Sequence, residues 1–120
     1  MTKLDELQRA FIVEGLEDYV GLWQWVARVR DRYPDLNGDG VRAKVLESVG
    51  ELIRQNAIQA GALAGEGGFD AWELTPAEAL ERIETEWIEL GRDPNIPDIC
   101  WFNNTEHGDA LASADRAPPE

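Results

Sequence analysis

The chain holds one cysteine, one histidine and one methionine in 120 residues, and its second half carries only three basic side chains, Arg82, Arg92 and Arg116. A single thiol excludes an intramolecular disulfide framework and any multi-thiolate zinc site, and a single imidazole removes most catalytic dyads and histidine metal clusters. No apolar run approaches the roughly 18 residues of a membrane-spanning helix, and residues 1–15 contain no signal-peptide hydrophobic region. The expectation is a soluble cytoplasmic protein. A P-loop, a dinucleotide fingerprint and a G-x-S-x-G nucleophile turn are all missing as well.

Acid is plentiful: 24 acidic against 11 basic residues give a net charge of −13. At 13.4 kDa a folded chain exposes about 6,500 Å² of roughly 19,000 Å² when unfolded, enough to hide a core without staples. We expect one domain over residues 1–115 and a flexible tail over 116–120. The charge excess opposes nucleic acid and anionic membranes as partners, because phosphate recognition draws its affinity from Lys and Arg. It is also uneven. Residues 1–60 contain 10 acids and 8 bases, whereas residues 61–120 contain 14 acids and 3 bases, a net charge of −11. Such asymmetry describes a directional electrostatic surface.

Apolar spacing predicts a helical first half. Leu4, Leu7 and Phe11 follow a capping-box-like Thr2 to Asp5 start. A second helix is expected over residues 17–33, with Tyr19, Trp23, Val26 and Tyr33 near one stripe and Pro34 ending it. Trp25 falls off that stripe and is a candidate for exposure. A third helix over residues 41–56 carries Val41, Val45, Leu46, Val49, Leu52 and Ile53 on one face. Glycines at 61, 65, 67 and 68 punctuate the middle, followed by a strand candidate over residues 69–74. The clearest helix comes next: Thr75 caps it, Pro76 opens it, Glu78 closes a capping box, and Gly91 with Pro94 stops it. Leu80, Ile83, Trp87 and Leu90 form its apolar stripe, and Glu78, Glu81, Glu84, Glu86 and Glu89 fill the rest. A second strand candidate, residues 99–102, precedes a short helix capped by Thr105 and ending near Ala114. The expected class is therefore mostly α with a small β element.

Catalysis has little support. Cys100 sits between Ile99 and Trp101, where a buried inert thiol is expected, and His107 has no partner that the sequence defines. Carboxylates are too numerous for any pair to stand out. Five tryptophans are available as core or as binding anchors. Trp23, Trp87 and Trp101 are expected in the core, and Trp72, beside the glycines with Asp70 and Glu73, at an interface with Trp25.

Two resemblances attach to particular residues. Asp35-Leu-Asn37-Gly-Asp39-Gly40 resembles the opening of an EF-hand loop, in which oxygens at positions 1, 3 and 5 converge on calcium. That resemblance implies Asp35, Asn37 and Asp39 as ligands, although position 12, the bidentate Glu, is Leu46 here. The order of helices, Asn56-Ala-Ile-Gln-Ala-Gly61, a glycine-rich loop, a strand, and Thr105, Gly108 and Leu111 at the start of the last helix resembles bacterial winged-helix proteins. It covers about half of the chain. It implies a hairpin wing enlarged by the acidic helix, and a DNA-reading helix with Arg42, Lys44 and Arg54.

By size and charge the chain also resembles small acidic immunity proteins of toxin systems. The leading expectation is a non-catalytic domain, with no cofactor, that binds and neutralises a basic, nuclease-like protein. Asp70, Trp72, Glu81, Glu84, Glu86, Glu89 and Asp93 are its candidate contacts. A winged-helix transcription regulator and a calcium-binding module are the alternatives.

Overall fold

The computed structural model describes residues 4–64, 68–95 and 98–116. The elements run α1 (Glu6–Glu14), β1 (Val20–Gly21), α2 (Leu22–Arg32), α3 (Gly38–Arg54), β2 (Ile58–Leu63), β3 (Phe69–Ala71), α4 (Pro76–Leu90), β4 (Trp101–Asn104) and α5 (Glu106–Arg116). The class is α+β with helix predominating. The expected cap at Thr2 lies outside the described residues. Asp5 caps α1 instead, accepting the Gln8 N–H at 2.8 Å while Gln8 Oε1 accepts the Asp5 N–H at 3.0 Å. The Gln8 amide then donates to the Ser48 carbonyl at 3.2 Å and to Glu51 at 2.8 Å. A buried polar side chain thus has its hydrogen bonds met and fastens α1 to α3.

The second helix is shorter than its expected span, because Val20 and Gly21 pair with Phe102 and Trp101 as strand β1. Starting at Leu22 moves the buried face to Leu22, Trp25, Val26 and Val29, an i, i+3, i+4, i+7 stripe. This corrects the expectation for Trp25. Its ring is 1% exposed, stacked on Phe11 with centroids 3.7 Å apart and edge-on to Phe102 at 6.4 Å.

The third helix begins three residues early. Asn37 caps it, with Oδ1 accepting the Gly40 N–H at 2.8 Å, so Gly38, Asp39 and Gly40 form its first turn. Val41, Val45, Val49 and Leu52 run through the middle of the core, against Trp25 and Val29 of α2, Ile83 and Trp87 of α4, and Phe11 and Ile12 of α1.

All strand pairs are antiparallel, in the order β1-β4-β2-β3. Residues 58–61, part of the Asn56 to Gly61 segment of the winged-helix resemblance, lie in β2, which sits between β4 and β3. Burial alternates along β4, and Ile58, Ala60, Phe102 and Val20 join the core. The turn into α5 rests on Asn56 and Ala57. Thr105 donates from its N–H to the Ala57 carbonyl at 3.0 Å and from its hydroxyl to Asn56 O, and it accepts the Gly108 N–H at 3.0 Å. A Cβ on Gly108 would overlap the Ala57 carbonyl, so glycine lets α5 sit directly on that backbone. The Thr105, Gly108, Leu111 pattern has a packing cause. Arg116, expected in the tail, ends α5, and the rest of the tail lies outside the described residues.

Candidate interaction surface

Helix α4 is fixed at both ends by the devices its sequence announces. The Glu78 N–H donates to Thr75 Oγ1 at 3.2 Å, the Thr75 N–H donates to Glu78 Oε1 at 2.9 Å, and Gly91 leaves the helix at φ 73°. The backbone bond from Thr75 holds the Glu78 carboxyl below its ordinary pKa, with the Thr75 hydroxyl adding to it. Ala79, Ile83 and Trp87 are buried, and Leu80 lies over Gly50 of α3, whose absent side chain makes room for it. The acidic helix therefore packs on the domain's own core.

What remains outside is acidic. Helical periodicity of 100° per residue puts Glu84, Ile88, Glu81, Thr85, Glu78 and Glu89 on one outward arc. Glu81, Glu84 and Glu89 are exposed and form no ion pair among the described residues. On that arc, between Glu84 and Glu81, Ile88 is 56% exposed, more than any other large apolar residue among those described. Its signal was present in the sequence: Ile88 lies off the Ile83, Trp87, Leu90 stripe and is surrounded by glutamates.

The seven candidate contacts divide by side. Glu81 and Glu84 line a groove of about 480 Å³ between α3 and α4, together with Ala43, Leu46, Glu47 and Arg54. Glu89 is exposed near the end of α4, and Asp70 and Trp72 are in β3 and directly after it. There the Arg82 guanidinium stacks over the half-buried Trp72 ring at 3.9 Å and pairs with Glu86 at 2.7 Å. The single cation of α4 is thereby occupied. Asp93 is apart from both groups, paired with Arg30 of α2 at 2.6 Å. This hydrogen bond raises the Arg30 pKa, and the pair ties the end of α4 to the helical half.

A second apolar surface went unread in the sequence. Trp23 and Trp101, expected in the core, are half-buried on the side of the sheet opposite Phe102. Trp101 pairs with Gly21 and Gly61, and a Cβ on Gly21 would meet both the Trp23 and the Trp101 rings within 3.2 Å. Tyr19 and Phe69 stack on the same face with centroids 5.3 Å apart, and Leu63, opposite Phe69, is 44% exposed. The alternation of Trp101 with Phe102 and of Phe69 with Asp70 was the available signal.

Other singled-out residues are accounted for locally. On α3, Arg42 pairs with Asp39 at 3.1 Å, and Lys44 pairs with Glu47 at 3.7 Å while lying 5.2 Å from the Tyr33 ring centroid. In the Asp35 to Gly40 segment, Asn37 caps a helix and Asp39 bonds Arg42, and no group of three or more His, Cys, Asp or Glu side chains that could hold a metal occurs among the described residues. Burial pushes the pKa of the Cys100 thiol far up, with the Glu86 charge adding to it, which favours the protonated form. His107 is exposed in the first turn of α5. No helix among the described residues is long and apolar enough to cross a membrane. Compared with known proteins, the chain matches no family model, no curated protein and no solved structure.

Proposed function

We propose that this chain is a non-catalytic, cytoplasmic interaction domain that binds and neutralises a basic protein, in the manner of an immunity or inhibitor protein acting on a nuclease-type toxin. One observation carries the reading: the outward arc of α4 exposes Glu81, Glu84 and Glu89 without ion-pair partners among the described residues, beside an Ile88 that is 56% exposed. Unpaired acids at a rim steer a cationic partner and exclude wrong ones, while an apolar centre supplies contact that water does not compete for. Like-charge neighbours such as Glu81 and Glu84 weaken an isolated helix by about 0.2–0.5 kcal/mol per pair. That cost gains a purpose if the ridge binds.

A partner isolated from the native host at low salt, then identified and titrated calorimetrically, tests the reading. Affinity should fall steeply between about 50 mM and about 500 mM salt, as the Debye length shrinks from beyond 10 Å to below 5 Å. Ile88→Ala should weaken it at least fivefold. A partner that is not basic, or an affinity indifferent to salt, contradicts the proposal.

The element order favours a second reading. Strand β1 follows α1, β4 pairs with both β1 and β2, and β4 runs into α5 at Thr105, which supports a winged-helix-like scaffold with β3 and α4 inserted in the wing. Its DNA-binding form would use Arg42, Lys44 and Arg54 of α3. The pairing of Arg42 and Lys44 with acids of their own helix, and the cover that α4 gives to Gly50, weigh against it. Submicromolar duplex binding with a steep salt dependence in gel shifts would reverse the ranking.

A further inference from the structure

Among the described residues strand β3 is an edge strand, paired on one side only. Its hydrogen-bonding phase follows from two bonds that bracket it: the Trp72 N–H donates to Ala60 O at 2.9 Å and the Ala64 N–H donates to Gly68 O at 2.8 Å. In an antiparallel pair, bonded and non-bonded positions alternate. Asp70 therefore spends its backbone groups on Ala62, and Phe69 and Ala71 turn their N–H and C=O groups to the open side. The two faces beside this edge differ in chemistry. On the outer face lie Phe69, stacked with Tyr19, and the exposed Leu63. On the inner face Arg82 over Trp72 marks the flank of α4 nearest β3, and residues 78, 82, 86 and 89 share that flank at spacings of four, four and three. Glu86 pairs with Arg82 there, and Asp70 is exposed on the inner face of the edge, opposite Ala62.

We propose that the open edge of β3 takes up an extended strand of the basic partner, with apolar side chains opposite Phe69 and Ala71 and a lysine or arginine opposite Asp70. The inference rests on the reading of the chain as a binder of a basic protein and adds the form in which that partner is recognised. Side chains directly opposite one another in a sheet point to the same face. The two apolar residues of the added strand thus extend the aromatic outer face, and the basic residue between them lies on the inner face opposite Asp70. Main-chain bonds to Phe69 and Ala71 give affinity, and the alternation gives specificity. A second copy of this chain is a poor occupant, because an antiparallel pairing centred on Asp70 would set that carboxylate against its own copy. An unpaired edge invites sheet extension unless something blunts it; here the acid blunts it against acidic and neutral strands and admits a basic one.

The test uses an isotope-labelled full chain at low salt and a capped seven-residue peptide alternating valine and lysine. Its controls are a peptide of similar composition interrupted by proline and one alternating valine and glutamate. The expected result is that only the valine-lysine peptide slows amide exchange at Phe69 and Ala71 and shifts resonances there. Ala71→Pro, which removes an N–H from the open side, and Asp70→Lys, which reverses the central charge, should each weaken binding about tenfold; the second variant decides if the first does not fold. If the proline-containing peptide binds equally well, or shifts are confined to Glu81, Glu84 and Ile88, strand uptake is wrong while the basic-partner reading stands. If no lysine peptide binds, both fall. A dimer of this chain that protects β3 overturns the inference outright.

Discussion

Trp25 illustrates how one residue's setting decides its role. With its ring against Phe11 and Phe102 and 1% exposed, Trp25→Ala should cost about 3–5 kcal/mol in urea unfolding. Its indole N–H is buried without a hydrogen-bond partner, so Trp25→Phe, which removes that unsatisfied donor, should cost clearly less. Apolar spacing points to a Tyr19-Trp23-Val26-Tyr33 stripe, whereas the buried one is Leu22-Trp25-Val26-Val29. Choosing between them required knowing that Val20 and Gly21 are pinned to β4, a contact some 80 residues away in sequence that local periodicity cannot contain. Asp98 gives a second residue-scale prediction. The Asn95 N–H, foremost, and Arg92 at 2.8 Å hold its carboxyl below the ordinary pKa. A depressed folded pKa means stability present above the unfolded value, near 4, and lost as pH falls through the lower folded one. Asp98→Asn should therefore lower the melting temperature at neutral pH, and the gap to the parent protein should close in acid. A gap that does not change with pH would exclude this linkage.

At the scale of elements, what could be read depended on whether an element carries its own signals. The Thr75, Pro76, Glu78 start and the Gly91 stop of α4 are local, and the helix spans Pro76–Leu90 accordingly; Thr75→Ala should cost about 1 kcal/mol. Strand β2 has a weak local signal. The segment Ile-Gln-Ala-Gly-Ala-Leu is poor in β-formers and becomes a strand because β4 and β3 pair with it on both sides. The same long-range pairing hid the aromatic outer face: Trp101 is on the solvent side because Phe102, packed with Trp25, takes the inner one. Closing the fold depends on α5 seated against Ala57. Gly108→Ala would drive a methyl group into the Ala57 carbonyl and should destabilise by about 1–3 kcal/mol or more, measured by thermal melting; a neutral result would mean that α5 can shift without loss.

Across the whole molecule, the net charge of −13 acquires a geometry. Several acids are spent internally: Glu51 on Gln8, Glu86 on Arg82, Asp93 on Arg30 and Asp98 on Arg92. The acids left outward on α4 share an arc with Ile88, and Asp70 is exposed on the edge strand β3. Of the seven candidate contacts, five keep an exposed or stacking role there, while Glu86 and Asp93 mainly hold the scaffold together. The charge distribution was legible in the sequence, but its division into spent and available acids was not, because ion pairs such as Arg30 with Asp93 join residues 63 apart.

The most direct measurement compares two triple variants of equal charge change in calorimetric titration with the isolated basic partner. Glu81→Gln, Glu84→Gln and Glu89→Gln together remove the α4 ridge; Glu6→Gln, Glu106→Gln and Asp109→Asn together remove exposed acids elsewhere. The account predicts at least a tenfold weaker Kd and a shallower salt dependence for the first variant, its melting temperature unchanged or higher once like charges are gone, and nearly parental binding for the second. Equal losses in both, or none in the first, would contradict a binding surface on α4.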